Sequence, residues 1–315
     1  MIFSESPLIV VTPVYEDTEA SSRLFKELSK EFPNNIFVVA VDDGSVKQPL
    51  RVESLKNASL NGVILKLRRN VGHQKAIAIG LGYVAERVML NQQVVVMDSD
   101  GEDMPSTVRC LVEKLEPNSI DVVVAKRKSR VETIRFKLFY AFYKRFFKLM
   151  TGRKISFGNF MALTSSGVKR LAAMDELSIH VAAAVLASKL RVQECSIDRG
   201  PRYAGQSKMN FVGLALHGFK ALMVFAEDVM VRVGLACAGI AVLSVLGILI
   251  AITLKTFGYS TPGWFSVALG ILILILLQTG ALSLMTLMLT GIIRGKSLTE
   301  PHAHQLYIES IIETS

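Results

Sequence analysis

Val94-Val95-Val96-Met97-Asp98-Ser99-Asp100-Gly101-Glu102-Asp103 passes from an unbroken apolar run to four carboxylates within six positions. A short run that is apolar throughout and closed by a glycine-bearing turn reads as a strand buried on both faces. Two other runs end in acids. Leu8–Thr12 leads into Pro13-Val14-Tyr15-Glu16-Asp17, and Ile36–Val41 into Asp42-Asp43-Gly44-Ser45. Val63–Leu67 and Val122–Ala125 are two further expected strands. Between the strands, Glu19–Phe32, Val52–Ala58, Gln74–Val88 and Pro105–Leu115 carry helical patterns. Such alternation predicts a parallel sheet covered on both sides, with ligands beyond the carboxyl ends of its strands. The acid groups fall at those ends.

Carboxylates gathered at one sheet edge repel one another unless a cation lies among them. Mg2+ or Mn2+ suits a few carboxylates completed by phosphate oxygens. In Asp98-Ser99-Asp100 both carboxylates leave the sheet together and can turn toward one ligand. A single turn of this kind is more often a solvated pair of acids, and three at successive strand ends are harder to dismiss. Two glycine motifs are set aside. Gly80-x-Gly82-x-x-Ala85 lies inside a helical pattern rather than at a strand-to-helix turn, and Gly295-Lys296-Ser297 has Thr290 where a phosphate loop needs glycine. His73, alone in its turn, reads as structural or as a phosphate contact, and no general base is nominated.

Of 315 residues 50% are apolar and only 20% charged, which excludes a disordered chain, and the net charge is 36 − 27 = +9. Cys110, Cys195 and Cys237 are too scattered for a disulfide scaffold or a thiolate zinc site and suit a reducing compartment. The N-terminal apolar run is too short for a signal peptide. Most of the apolar excess lies near the other end. Val233–Leu254 is 22 uncharged residues, and at ~1.5 Å per residue it is long enough to cross a bilayer. After the break Lys255–Gly263, Trp264–Ile293 forms a second uncharged run. A helical hairpin follows, and the bland alternative is a buried hairpin inside a globular core. Arg232, Arg294 and Lys296 flank the spans on one side and Lys255 alone lies on the other, which places the bulk of the chain in the cytoplasm. Arg135–Met150, RFKLFYAFYKRFFKLM, mixes seven aromatic with five basic residues and suits an anionic membrane surface better than single-stranded nucleic acid. Phe211–Val229 reads as a second interfacial helix, with Glu227 and Asp228 solvated. The expected organisation is a working domain over 1–210, an interfacial helix over 211–230, a transmembrane hairpin over 231–296 (spans at about 233–254 and 266–292) and a cytoplasmic tail over 297–315.

The ordered segments PVYED, VDDGS, RRNVGHQKA and MDSDGEDMP resemble glycosyltransferase family 2. With the C-terminal hairpin, the chain looks like the polyprenyl-phosphate branch, which includes dolichol-phosphate mannose synthases and bactoprenol glucosyltransferases. The resemblance implies an α/β GT-A fold, Rossmann-like with a mostly parallel sheet, followed by two transmembrane helices. It implies a metal-dependent hexosyltransferase that moves a sugar from a nucleotide-diphosphate donor to a polyprenyl phosphate, with inversion, at the cytoplasmic face of the inner membrane. Pro13, Tyr15, Glu16, Asp42 and Asp43 would hold the base and ribose. Asp98 and Asp100 would hold Mg2+ or Mn2+ against the diphosphate, with Ser99 at the donor and Glu102 as a further metal contact. Arg69, Asn70, Gly72 and Lys75 match a basic turn near the donor phosphates. Arg127 and Arg135 would bind the acceptor phosphate, although a basic membrane-facing surface explains Arg135 equally well. Arg199-x-x-Arg202-x-x-Gly205-x-Ser207-Lys208 resembles a loop that closes over the diphosphate, with Arg202 touching ligand. Ala125, Lys126 and the Phe157–Phe160 segment depart from the family pattern.

Three rivals remain. A processive polysaccharide synthase needs a Gln-x-x-Arg-Trp motif, and Trp264 lies at the mouth of a membrane helix instead. A transferase acting on another lipid and a non-catalytic nucleotide-sugar-binding membrane protein are the others, the latter disfavoured by the intact Asp-Ser-Asp. Self-association through membrane-adjacent helices is a habit of the family.

Overall fold

The computed structural model describes residues 6–116, 119–127, 134–203, 211–259, 261–294 and 303–314. The chain forms two compact units: Met1–Arg145, Arg153–Val224 and Thr299–Ser315 make the first, and Phe146–Gly152 with Phe225–Leu298 the second.

The first unit is an eight-stranded mixed sheet in the order β7-β5-β6-β4-β1-β2-β3-β8. Its first five strands are β1 (Leu8–Val14), β2 (Ile36–Asp42), β3 (Asn61–Leu67), β4 (Gln93–Val96) and β5 (Val122–Arg127). All five were expected. The parallel core β4-β1-β2-β3 is fully buried over β1 and β2 because side chains alternate into two separate cores. Ile9 and Val11 point to the face covered by α3 (His73–Ala85), α6 (Ser165–Ala172) and α7 (Val181–Ala187). Val10 and Val14 point to the face covered by α1 (Thr18–Glu31), α2 (Glu53–Lys56) and α4 (Pro105–Val112). Gly80, from the motif set aside above, has a packing role. A Cβ there would stand 2.6 Å from Val11 and 2.9 Å from Val41, so glycine lets α3 settle directly on the sheet.

Three strands were not expected. β6 (Met161–Thr164) inserts antiparallel between β4 and β5, and β7 (Val192–Ile197) runs parallel on the outer edge of β5. The sheet is therefore mixed rather than wholly parallel. The third addition is β8 (Ile308–Glu313), which pairs antiparallel with β3. The C-terminal stretch read as a tail thus contributes an edge strand to the sheet. The same unit contains α5 (Ile134–Thr151) up to Arg145, together with α8 (Phe211–Met223). Val212, Leu216, Phe219 and Met223 make an exposed apolar stripe along α8, which ends at Met223.

The second unit is dominated by α9 (Ala226–Thr256) and α10 (Trp264–Arg294), each of 31 residues. Both are long and apolar enough to cross a membrane. They run antiparallel, with Gly247 against Leu272 and Gly234 beside Thr286. Their large apolar side chains face outward: Leu235 is 69% exposed, Leu243 68% and Leu277 68%. A globular core helix does not present such a surface. Phe147 meets Phe225 edge-on at 5.9 Å, and Arg232 donates to the Leu149 carbonyl at 3.1 Å.

Candidate active site

The turns after β1 and β2 are fixed by carboxylates that accept main-chain N–H groups. Asp17 caps α1 through Ala20 N at 3.2 Å. Glu16, at φ +48°, accepts from the amides of Val46, Lys47 and Gln48 at 2.8, 3.0 and 2.6 Å, and these hold its carboxyl below the usual range. Asp42 is fully buried and accepts from Ser45 N at 3.0 Å and Leu50 N at 2.9 Å. Asp43 accepts from Val71 N at 2.7 Å and Gly72 N at 3.0 Å, so it ties the β2 turn to the entry of α3. Burial raises its carboxyl above the usual range despite those two donors. Gly44 makes this possible: at φ +68°, a Cβ would lie 2.5 Å from the Arg69 carbonyl carbon. Of the expected nucleotide residues, Pro13 is buried within β1 and Tyr15 is 45% exposed.

The β4 turn is bound differently. Asp103, almost wholly buried, accepts from Asp98 N at 3.0 Å, and Asp100 Oδ1 accepts from Glu102 N at 3.0 Å. The remaining carboxylate oxygens meet cationic side chains. Arg202 places Nη2 2.9 Å from Asp100 Oδ2 and Nε 3.0 Å from Glu102 Oε1, and Arg199 pairs with Glu102 Oε2. His73 Nε2 lies 3.2 Å from Asp98 Oδ1 and 3.0 Å from Asn159 Nδ2. Desolvation works against protonating His73, but Asp98, Asp103 and Asp100 outweigh it and raise its pKa. Ser99 is buried in the same turn.

The strand-to-loop segment Arg199–Tyr203 is zipped to the turn by main-chain bonds as well. Gly200 N donates to Glu102 O at 3.0 Å, and Tyr203 N to Asp100 O at 2.9 Å. The Tyr203 ring covers Gly101, where a Cβ would stand 2.6 Å from it. Its hydroxyl donates to Glu27 on α1, and the Arg23 guanidinium lies 4.4 Å from the ring centroid. Burial, reinforced by Glu27, pushes the Tyr203 phenol up.

The Lys75 ammonium lies 2.7 Å from the Tyr307 hydroxyl. Lys126 is engaged by Glu194 at 2.6 Å. Arg127 ends β5 opposite Ile197. The side chains of Arg127 and Arg135, and Gly205, Ser207 and Lys208, lie outside the described residues.

The structure therefore gathers Asp98, Asp100, Glu102 and Arg202, with Asp43 joined to the same α3 entry. Among the described residues, no three or more His, Cys, Asp or Glu side chains converge as a ready metal centre. Asp98 and Asp100 nevertheless offer the hard oxygens a Mg2+ or Mn2+ ion takes from a protein when phosphates and water supply the rest. Glu102 does not fit that role as placed, because a guanidinium occupies each of its oxygens. Tyr203, Glu27 and Tyr307 were not singled out in the sequence, and Asn159 was named only within the departing Phe157–Phe160 segment; their partners here come from distant segments.

Residues 9–170 match the model of glycosyl transferase family 2, which spans just over half of the chain. The chain belongs to that family and is a glycosyltransferase with the GT-A fold. It is similar to the uncharacterized glycosyltransferase YkoT of Bacillus subtilis, at 25% identity over 314 residues, covering 94% of this chain and 89% of that protein. A shorter likeness, 26% over 129 residues, relates it to a dodecaprenyl-phosphate galacturonate synthase of Rhizobium johnstonii, covering 39% of this chain and 36% of the relative. Among solved structures, it is similar to glucosyl-3-phosphoglycerate synthase from Mycobacterium tuberculosis in complex with Mn2+, UDP-glucose and phosphoglyceric acid. That match has a TM-score of 0.48 at 16% identity and covers 73% of this chain and 80% of that one.

Proposed function

We propose that the protein transfers a sugar from a nucleotide-diphosphate donor to a polyprenyl phosphate, with a divalent cation at Asp98 and Asp100. The reading is carried by the β4 turn, where partly exposed carboxylates at the carboxyl end of the parallel strands are held by side-chain cations. The relative that makes a dodecaprenyl-phosphate product supports the acceptor class. So do α9 and α10, together with exposed Phe142, Phe146 and Leu149 on α5, which alternate with Lys144, Arg145 and Lys148 in a pattern suited to an anionic leaflet. The catalytic unit faces the cytoplasm in this reading, because the basic residues flank the outer ends of the hairpin.

When bound, Mg2+ or Mn2+ supplies Lewis-acid stabilisation of the departing diphosphate. The chain's own residues do the rest. His73 fixes Asp98, Asp103 fixes the turn, and Arg202 adds a forked cation for phosphate oxygens. The acceptor phosphate is anionic at neutral pH, so attack on the anomeric carbon needs no strong base. Incubation of the purified protein with Mg2+, undecaprenyl phosphate and a panel of nucleotide sugars, followed by mass spectrometry of the lipid fraction, tests this. A glycosyl-phosphoryl-lipid is expected. Sugar release to water alone, with no lipid product, would overturn the acceptor assignment.

A further inference from the structure

Lys75 differs from Arg199, Arg202 and Lys126, three other cations near the carboxyl ends of the strands. Arg199 and Arg202 are bound to Glu102 and Asp100, and Lys126 is bound to Glu194. Lys75 meets no carboxylate among the described residues: its ammonium lies 2.7 Å from the Tyr307 hydroxyl and 4.0 Å from that ring's centroid. Tyr307 comes from the segment that follows α10, and it is firmly held. Its carbonyl accepts from Arg68 N at 3.0 Å, and the β8 ladder begins at the next residue. His304 and Gln305 just before it reach Glu86 beyond α3, at 3.1 and 3.2 Å. A phenol offers an ammonium one lone-pair contact and a π face, which orients the charge without neutralising it. Arg69 lies close enough for its charge to act on the same hydroxyl. A cation that is oriented but not neutralised can meet an arriving phosphoryl group without first giving up a carboxylate.

We propose that Tyr307 is a positioning residue that holds Lys75 for the donor diphosphate, so that the segment beyond the second apolar helix completes the donor site. This rests on the reading of Lys75 as a donor-phosphate residue.

The test uses the full chain in phosphatidylglycerol vesicles, with inorganic pyrophosphate and Mg2+ as the probe. Lys75→Met is expected to weaken pyrophosphate binding about tenfold, and Tyr307→Phe about three- to tenfold, raising donor KM with kcat within about twofold. In the Lys75→Met background, Tyr307→Phe should add less than about twofold, because its effect runs through the lysine. Gln305→Ala loosens the same segment without touching Lys75 and should leave binding unchanged. Equal losses from Tyr307→Phe in both backgrounds, no loss from either single variant, or the same loss in Gln305→Ala would overturn the proposal. So would a loss confined to vesicles carrying undecaprenyl phosphate, which would move the pair to the acceptor side. Pyrophosphate binding needs no lipid acceptor, so failure of the polyprenyl-phosphate reading leaves this titration interpretable.

Discussion

Glu16 and Asp42, in the turns after β1 and β2, direct their carboxylates at main-chain N–H groups, whereas Asp100 and Glu102, after β4, direct theirs largely at guanidinium groups. The two arrangements differ in what can replace them. A main-chain amide cannot leave without undoing the turn that carries it, but an arginine can rotate away when a better-placed ion or phosphate arrives. By this difference in partners, the first set reads as frame and the second as free to exchange. Asp43 belongs to the frame, because Val71 N and Gly72 N hold it and so fix where α3 begins.

The sharpest test of this division is a pair of isosteric changes. Asp100→Asn removes a charge from the exchangeable set and is expected to lower turnover about 10²–10³-fold, as loss of a main electrostatic contact does. Its stability should fall by less than that of Asp42→Asn, since Asn keeps an Oδ1 acceptor for Glu102 N and relieves repulsion among neighbouring carboxylates. Turnover in Asp100→Asn close to wild type would break the comparison. Asp42→Asn does the reverse: its NH2 replaces one acceptor oxygen and faces one of the two main-chain donors in a fully buried place, which costs about 1–3 kcal/mol of stability. Denaturant unfolding of the two variants side by side measures the contrast.

Much of the frame was legible in the sequence. Uninterrupted apolar runs closed by acids gave β1, β2 and β4, because burial on both faces leaves no alternation to misread. β7 was missed because Val-Gln-Glu-Cys-Ser-Ile is an edge strand in which polar residues interrupt the apolar ones and only Cys195 and Ile197 are buried, and β8 because an edge strand far along the chain carries no local sign of its partner. The motifs singled out Asp98, Asp100 and Arg202 as candidates, and the structure places Arg202 Nη2 2.9 Å from Asp100 Oδ2. Their division of labour was not legible in the sequence. Nothing in Glu102's neighbourhood reveals that Arg199 and Arg202 claim both of its oxygens, since that depends on Gly200–Tyr203 zipping to the turn from a hundred residues away.

Histidine chemistry sharpens the same contrast at a smaller scale. His180 Nδ1 accepts from Ala183 N at 3.2 Å as the N-cap of α7, so its proton resides on Nε2 and is donated to His217 Nε2 at 3.0 Å. Burial, with His217 and Lys220 nearby, pushes His180 down to about 3. Between that value and the ordinary 6.5, the unfolded chain binds a proton that the folded chain refuses, so stability falls as pH drops below 6.5. The loss at pH 5 is about 2 kcal/mol for one such group. Thermal melts at pH 7.5 and 5 should show it in wild type. In His180→Asn, which keeps a capping side chain without titrating, the loss should be smaller; an equal loss would place the acid sensitivity elsewhere.

The smallest expected effect separates two roles within one turn. Glu102→Gln keeps an acceptor for one guanidinium and leaves Asp98 and Asp100 in place for the cation. If Glu102 anchors arginines, kcat/KM should fall less than about tenfold and the Mn2+ dependence should shift by no more than about threefold. If it is instead a metal ligand, as its place in the motif suggests, removing its charge should shift the Mn2+ midpoint by about tenfold or more. Mn2+ titration followed by electron paramagnetic resonance in the absence of donor reads the cation directly. A large shift there would mean that the guanidinium pairs yield on metal binding and that the exchangeable set reaches one residue further along the turn.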